Sequence, residues 1–396
     1  MHEKAHNLVS LQSLPTTSLV QVNHHSWVEI SKQALFHNIA QYKQVVGERE
    51  LAIVIKSNAY GHGMHAIAQL CEEHADVAWL CTASLSESLQ LRAAGITKPL
   101  LVLSYIDADL TDAVAHDIDL VLYDYEMLHQ LQTIAVSLQK KARVHIKVDT
   151  GLSRLGLLPD AAYELICTAW GMSHVVVQGM FTHLAESEKS GKGFTAQQIA
   201  HLRELKLKLA QQNITIPYHH YSCSAALTAV EEQEYNFARM GLGVYGLWPS
   251  KENKIFTQKS YPNFTLKPVM QWKTKIVQIK KVPIWSFVGY ARTHTTTRDT
   301  LLAVVPVGYW EGYDRKLSNQ AAVMVNGVYA PVIGRVSMNV MTIDITDVPG
   351  TVTVGTEVIL LGAEPQISAE ALAEKIGTIN WEVVTRINPL LPRIIV

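Results

Sequence analysis

The chain has 396 residues, more than one hydrophobic core usually serves, so two domains are expected. Hydrophobic residues make up 48% and charged residues 17%, the balance of a globular protein, and a net charge of −1 speaks against nucleic acid as the main partner. The four cysteines share no close spacing and no Cys/His metal pattern is present, which reads as free thiols in a reducing compartment and no metal site.

In chain order, residues 1–26 are polar and lack the apolar stretch of an export signal, so they are expected to form a flexible arm. No run reaches the roughly 18 apolar residues of a membrane helix, and a cytoplasmic protein without membrane contact is expected. From Trp27 to Leu247, eight short apolar runs alternate with helical patterns: Leu51–Lys56, Val77–Thr82, Pro99–Ser104, Ile118–Leu122, Val144–Asp149, Val175–His183, Tyr218–Ser222 and Met240–Tyr245. They are rich in Val, Ile and Leu with little alternation, as strands covered on both faces should be. Eight strand–helix units read as an α/β fold, a (β/α)8 TIM barrel over residues 27–262. A doubly wound open sheet is the alternative, because periodicity cannot show closure, but no G-x-G-x-x-G opens the first unit. After WPSKENKIFTQKSYPNF the texture changes to Thr- and Val-rich strands, with a hairpin signal at Asn326-Gly327 and a helix expected over Ser368–Ile376. Residues 263–396 are therefore expected to form a mostly β second domain.

Functional groups of a barrel collect at the C-terminal ends of its strands. Lys56 closes the run LAIVIK. It is either a lysine whose ammonium reaches solvent at the barrel rim, or an amine whose pKa burial lowers until it can attack an aldehyde. Arg154 in VDTGLSRLG, His183 in VVVQGMFTH, Ser222, Cys223 and Ser224 after YHHY, and Arg239 before MGLGVYG recur at the same end. Each alone has a dull explanation, a satisfied core histidine or turn glycines. Five strand ends bearing such groups together are harder to dismiss.

The segments AIVIKSNAYGHG, KVDTGLSRLG, THLAESE, CSAA, ARMGLGVYGLWPS, GYARTHTT, VPVGYWEGY and GRVSMNV, in this order, resemble the signature segments of the alanine racemase family. The resemblance implies pyridoxal 5′-phosphate (PLP) on Lys56, and racemisation of L- and D-alanine, for peptidoglycan, in a homodimer with shared active sites. Lys56 would be one base and Tyr290, contributed by the partner subunit, the other. Both ordinarily titrate near pH ~10 and need neighbouring charge to work at neutral pH. The resemblance further implies that Arg239 faces the pyridine nitrogen, and a guanidinium, which keeps its proton, would leave that nitrogen unprotonated and suppress side reactions. Tyr60, Ser224, Gly241 and Leu242 match the phosphate cradle, and His183 the imidazole near the ring, linked to Arg239. Arg154 and Met338 match the substrate-carboxylate contacts, and Lys147 a lysine carbamylated in many members.

Three positions depart from the family pattern. Asn339 stands where aspartate is usual, Cys223 where asparagine is common, and Pro389 near the place of a tyrosine that packs over the phosphate. The changes at Asn339 and Pro389 point to a second possibility, a broader-specificity racemase that also takes serine or basic residues, since one contact shifts preference by only ~1–3 kcal/mol. A non-catalytic PLP carrier is disfavoured by the long second domain and its tyrosine motif. A decarboxylase is disfavoured because Arg239 replaces the carboxylate expected at the ring nitrogen.

Overall fold

The computed structural model describes residues 25–187, 193–229 and 235–396; the expected arm lies outside them but for His25 and Ser26. Alternation within each apolar run divides the core in two. Leu51, Ile53 and Ile55 join the layer between strands and surrounding helices, whereas Ala52 and Val54 point inward, into a cluster with Trp79, Cys81 and Phe237. With both faces packed, a strand has no solvated side, which is why the runs read as nearly continuous apolar sequence.

Strand β1 (Ser26–Ile30) precedes eight parallel strands: β2 (Glu50–Val54), β3 (Trp79–Ser84), β4 (Leu100–Tyr105), β5 (Leu120–Leu122), β6 (Ala142–Lys147), β7 (Val175–Phe181), β8 (Tyr218–His220) and β9 (Phe237–Met240). Ladders join β9, β2, β3 and β4, and likewise β5 through β8. The two halves meet where Val102 N–H donates to Asp119 O and Asp119 N–H to Leu100 O, both at 2.9 Å. On the other side Asn236 N–H donates to His219 O and Arg239 N–H to Ser222 O, both at 3.2 Å. The sheet is thus closed, and the barrel is the correct alternative.

The last strand differs from the expected run Met240–Tyr245. It covers Phe237–Met240, and a 3-10 turn over Leu242–Tyr245 follows. Gly241 leaves strand geometry (φ −108°, ψ −104°), and the N–H groups of Gly241 and Gly243 turn to Ser224 Oγ instead of to a neighbouring strand. Arg239 therefore lies inside a strand rather than ahead of one.

The second domain is built on a six-stranded sheet in which Met270–Lys275, Ala322–Val325, Val328–Pro331, Glu357–Leu361 and Arg393–Ile395 are joined by β1. Although first in the chain, β1 runs antiparallel to Met270–Lys275 and parallel to Arg393–Ile395. The residues from Trp27 to Ile30 consequently belong to this sheet, not to the barrel in which the sequence placed them. Asn326 (φ 48°) and Gly327 (φ 80°) make the tight turn between Ala322–Val325 and Val328–Pro331. The helix Ala369–Ile376 begins where Ser368 Oγ accepts the Ala371 N–H and ends at left-handed Gly377.

Asn38, fully buried in the helix Lys32–Val46, ties the barrel to the segment leading into the second domain. Its Nδ2 donates to Val244 O (3.0 Å) and Lys267 O (2.8 Å), and its Oδ1 accepts the Lys267 N–H at 2.8 Å. Asn38→Ala strands three backbone groups at once, and we expect a loss of about 3 kcal/mol. A urea unfolding midpoint unchanged from wild type would refute this.

Candidate active site

Lys56 lies two residues past the end of β2, at the C-terminal end of the barrel, and the chain then turns left-handed. Ser57, Asn58, Ala59 and Tyr60 all have φ between 51° and 54°. L-residues in that region cost about 1–2 kcal/mol each, so the turn persists only because its surroundings hold it. The Glu87 carboxylate accepts the Ser57 N–H at 2.7 Å and the Ala83 N–H at 2.8 Å. Asn58 Oδ1 accepts the Met64 N–H at 2.8 Å. From the second domain, Arg393 donates to the Gly61 carbonyl through Nε (3.2 Å) and Nη2 (3.0 Å). Gly61 packs so closely on the Val384 backbone that a β-carbon would collide with its carbonyl.

The turn forms one wall of a cleft of about 360 Å³ into which Lys56, Lys147, Arg154 and Arg239 all project. Burial, then Arg154 and Arg239, hold the Lys56 amine below its ordinary pKa, with Glu87 opposing. Lys147 ends β6, donates to the Leu103 carbonyl at 3.1 Å and is pushed down to about 8 by burial and the same cations. Arg239 is pushed down to about 10 by burial and keeps its charge at neutral pH. His183 is driven to about 3, by burial first and then by Arg239, Arg154, Lys56 and Lys147, so it is neutral. No Asp or Glu is among the described residues that line the cleft. Such an arrangement suits an anionic ligand next to a nucleophilic amine.

Ser224 and Gly241 line the cleft beside Lys56. Ser224 Oγ accepts the N–H groups of Gly241 (3.1 Å) and Gly243 (3.2 Å), which leaves its own proton to donate elsewhere. The Tyr60 phenol rests on Gly241, where a β-carbon would come within 2.6 Å of its oxygen. Leu242 and Ser224 both line the cleft.

The fold thus brings together Lys56, Tyr60, Lys147, Arg154, His183, Ser224, Arg239, Gly241 and Leu242. It does not bring Tyr290 or Met338 to them: both are on the surface of the second domain, 70% and 55% exposed. One expected link is different. The imidazole hydrogen-bonded to Arg239 is that of His220, through Nη1, while Nη2 donates to Thr182 O at 2.8 Å. His183 is one residue beyond that carbonyl and makes no hydrogen bond to the guanidinium among those described. Residues the sequence did not single out are His220, Glu87, and Trp381 and Thr385, which line the cleft from the helix packed on the Lys56 turn. Only His220, inside the apolar run after Ile216, offered a sequence signal. Cys223 lines the cleft with its Sγ 3.5 Å from Ser187 Oγ, and Pro389 is exposed and away from it.

Comparison with known proteins gives one consistent result. The family description "Alanine racemase, N-terminal domain" matches residues 30–249, and "Alanine racemase, C-terminal domain" residues 269–395. The chain is 36% identical to alanine racemase of Clostridium novyi (strain NT) over 372 residues, covering 93% of this chain and 94% of that protein. It is 36% identical to alanine racemase of Methanococcus maripaludis over 379 residues, 94% of this chain and 99% of the other. Among solved structures, alanine racemase of Clostridium difficile 630 superposes with a TM-score of 0.87 at 32% identity, over 95% of this chain and 97% of that one. The alanine racemase of Bacillus anthracis with bound L-Ala-P gives 0.84 at 30% identity, over 95% and 96%.

A histidine held below its ordinary value has no effect on stability above pH 6.5, where folded and unfolded forms are both neutral. Below that the unfolded chain protonates first, and stability falls with pH until the folded pKa is reached. For His183, at about 3, this window runs from pH 6.5 down to 3. Between pH 7 and pH 5, His183→Gln should therefore lose about 2 kcal/mol less than wild type in urea unfolding. Equal losses would contradict the neutral buried imidazole.

Proposed function

The chain belongs to the alanine racemase family, and from that premise we propose that it interconverts L- and D-alanine with PLP held on Lys56. The observation that carries the proposal is the cleft itself, in which Lys147, Arg154 and Arg239 surround the Lys56 amine, whose pKa is lowered, with no Asp or Glu among the described lining residues. PLP fits this donor set. Its phosphate suits the Ser224, Tyr60, Gly241 and Leu242 cradle, which has no room for a β-carbon at Gly241, and its aldehyde suits the Lys56 amine. When bound, PLP supplies an electron-withdrawing ring that spreads the charge left on the α-carbon by a departing proton.

The chain's own residues supply the rest. Lys56 takes or returns the α-proton on one face, which its lowered pKa allows near neutral pH. Tyr290 of the partner subunit does so on the other. Arg154, with the backbone N–H of Met338 of the partner subunit, holds the substrate carboxylate. Arg239 would face the ring nitrogen, and a guanidinium, which keeps its proton, would leave that nitrogen unprotonated and restrain side reactions. Lys147, at about 8, has a neutral amine fraction at physiological pH able to add carbon dioxide, and the resulting carbamate would be an anion within the cation cluster.

Two observations support a homodimer. Tyr290 and Met338 are exposed and do not line the cleft of their own chain, and the same domain also exposes Trp285, Phe287, Tyr309 and Trp310. Such an apolar surface is characteristic of association sites. The Trp310 N–H bonds Met338 O at 2.9 Å, so this surface and the substrate-contacting backbone are one unit. No helix among the described residues is long and apolar enough to cross a membrane.

A broader-specificity racemase is the second reading. Asn339 Nδ2 donates to Glu311 Oε1 at 3.0 Å, a neutral partner where the family pattern has a carboxylate, and Pro389 adds no hydroxyl to the phosphate side. Initial rates with alanine, serine, lysine and arginine, read by chiral chromatography, separate the two.

The purified protein with PLP is expected to convert L-alanine to D-alanine, and Lys56→Ala to abolish conversion together with the PLP absorbance. In Tyr290→Phe, conversion should fall at least about a hundredfold, while exchange of the α-hydrogen of one enantiomer with heavy water persists. Conversion at wild-type rate in Tyr290→Phe would end the two-base assignment.

A further inference from the structure

Behind Arg239 a file of buried polar side chains runs through the barrel interior toward the opposite end. Arg239 Nη1 donates to His220 Nδ1 and, at 3.0 Å, to the His220 carbonyl. His220 Nε2 lies 2.9 Å from His145 Nδ1. His145 Nε2 lies 3.4 Å from Asp119 Oδ2, and Asp119 Oδ1 accepts from Arg143 Nε at 2.6 Å. Asp119, His145 and His220 are wholly buried, whereas the Arg143 side chain is 30% exposed at the end of the file.

Only one set of protons fits this file. A guanidinium has donors and no acceptor, so His220 Nδ1 must accept and its proton must sit on Nε2. That proton then points at His145 Nδ1, which must accept in turn, so the proton of His145 sits on Nε2 and points at Asp119. His145 Nε2 and Asp119 Oδ2 have no other hydrogen-bond partner among the described residues, and they face each other as donor and acceptor. Burial, Arg239 and His145 keep His220 well below its ordinary value and hence neutral, as the file requires.

We propose that Asp119 and His145 are positioning residues for Arg239: the buried carboxylate sets the tautomer of both imidazoles and so presents an acceptor to the guanidinium that faces the cofactor. The proposal rests on the role given to Arg239 above. It assigns work to residues in the barrel wall far down from the cleft, where a purely structural ion pair between Asp119 and Arg143 would otherwise be sufficient explanation.

Asp119→Asn tests it. Arg143, which can only donate, holds the amide oxygen and turns the amide NH2 toward His145. Both imidazoles must then carry their proton on Nδ1, and His220 presents a donor to the Arg239 guanidinium. In the full-length protein labelled in its histidine nitrogens, nuclear magnetic resonance should find His145 and His220 as Nε2–H tautomers in wild type and Nδ1–H tautomers in Asp119→Asn. Loss of signals in His145→Gln and His220→Gln assigns them. Conversion of alanine should fall about tenfold to a hundredfold in Asp119→Asn. In Asp119→Asn/Arg143→Met the amide is free to turn its oxygen to His145, and both the Nε2–H tautomers and most of the activity should return. Nδ1–H tautomers in wild type, unchanged tautomers in Asp119→Asn, or a double variant as impaired as the single would each overturn the proposal. The wild-type tautomers are read without substrate, so a protein that fails to racemise alanine would refute the proposed function while leaving this measurement decisive. Should Asp119→Asn not fold, Nδ1–H tautomers in wild type would still overturn the proposal.

Discussion

Like charges in a confined space repel, and the cleft gathers four cations with no carboxylate in its lining. In a medium less polarisable than water this repulsion is much stronger than at the surface. The two lysines can relieve it by giving up protons, and both are displaced in that direction. The two arginines cannot, because a guanidinium keeps its charge. What remains would be relieved by an anion from outside the chain. A ligand bearing a phosphate and a carboxylate meets this need, and the same repulsion that makes the cleft costly when empty lowers the pKa of the amine it serves. Ligand binding and fold stability are accordingly coupled here.

The left-handed turn after Lys56 is the backbone counterpart of that constraint. Four successive L-residues with positive φ are tolerated because Glu87, Asn58 and Arg393 engage the N–H and carbonyl groups that a right-handed turn would have satisfied internally. Arg393 comes from the end of the chain and also donates to the Ile387, Asn388 and Leu391 carbonyls. The second domain thus braces the turn from behind as well as presenting Tyr290 and Met338 on its outer surface.

Much of this was legible in the sequence where the controlling physics is local. Apolar runs covered on both faces announce strands, Asn326-Gly327 announces its hairpin, and Ser368 its helix, because each acts on residues a few places away. Lys56 was legible through its place at the end of such a run. What was not legible depends on contacts through space. The register of Arg239 was obscured by Gly241 and Gly243, whose N–H groups leave the sheet for a serine seventeen residues or more away in the chain. The resemblance points to His183 as the partner of Arg239, but the partner is His220, a choice that only the packing of neighbouring strands determines. Glu87 carries no motif at all; its importance comes from two N–H groups on separate strand ends.

The membership of β1 in the second domain's sheet bears on how the polypeptide is made. Its immediate neighbours are Met270–Lys275 and Arg393–Ile395, so β1 has no ladder to join until a barrel's length of chain has followed, and it is flanked on both sides only once Arg393–Ile395 has been made. A ribosome making this chain would deliver a barrel able to close ahead of a sheet that must wait for Arg393–Ile395. Pairing so distant in sequence is slow to form, and the interval leaves an unpaired apolar strand for chaperones to shield.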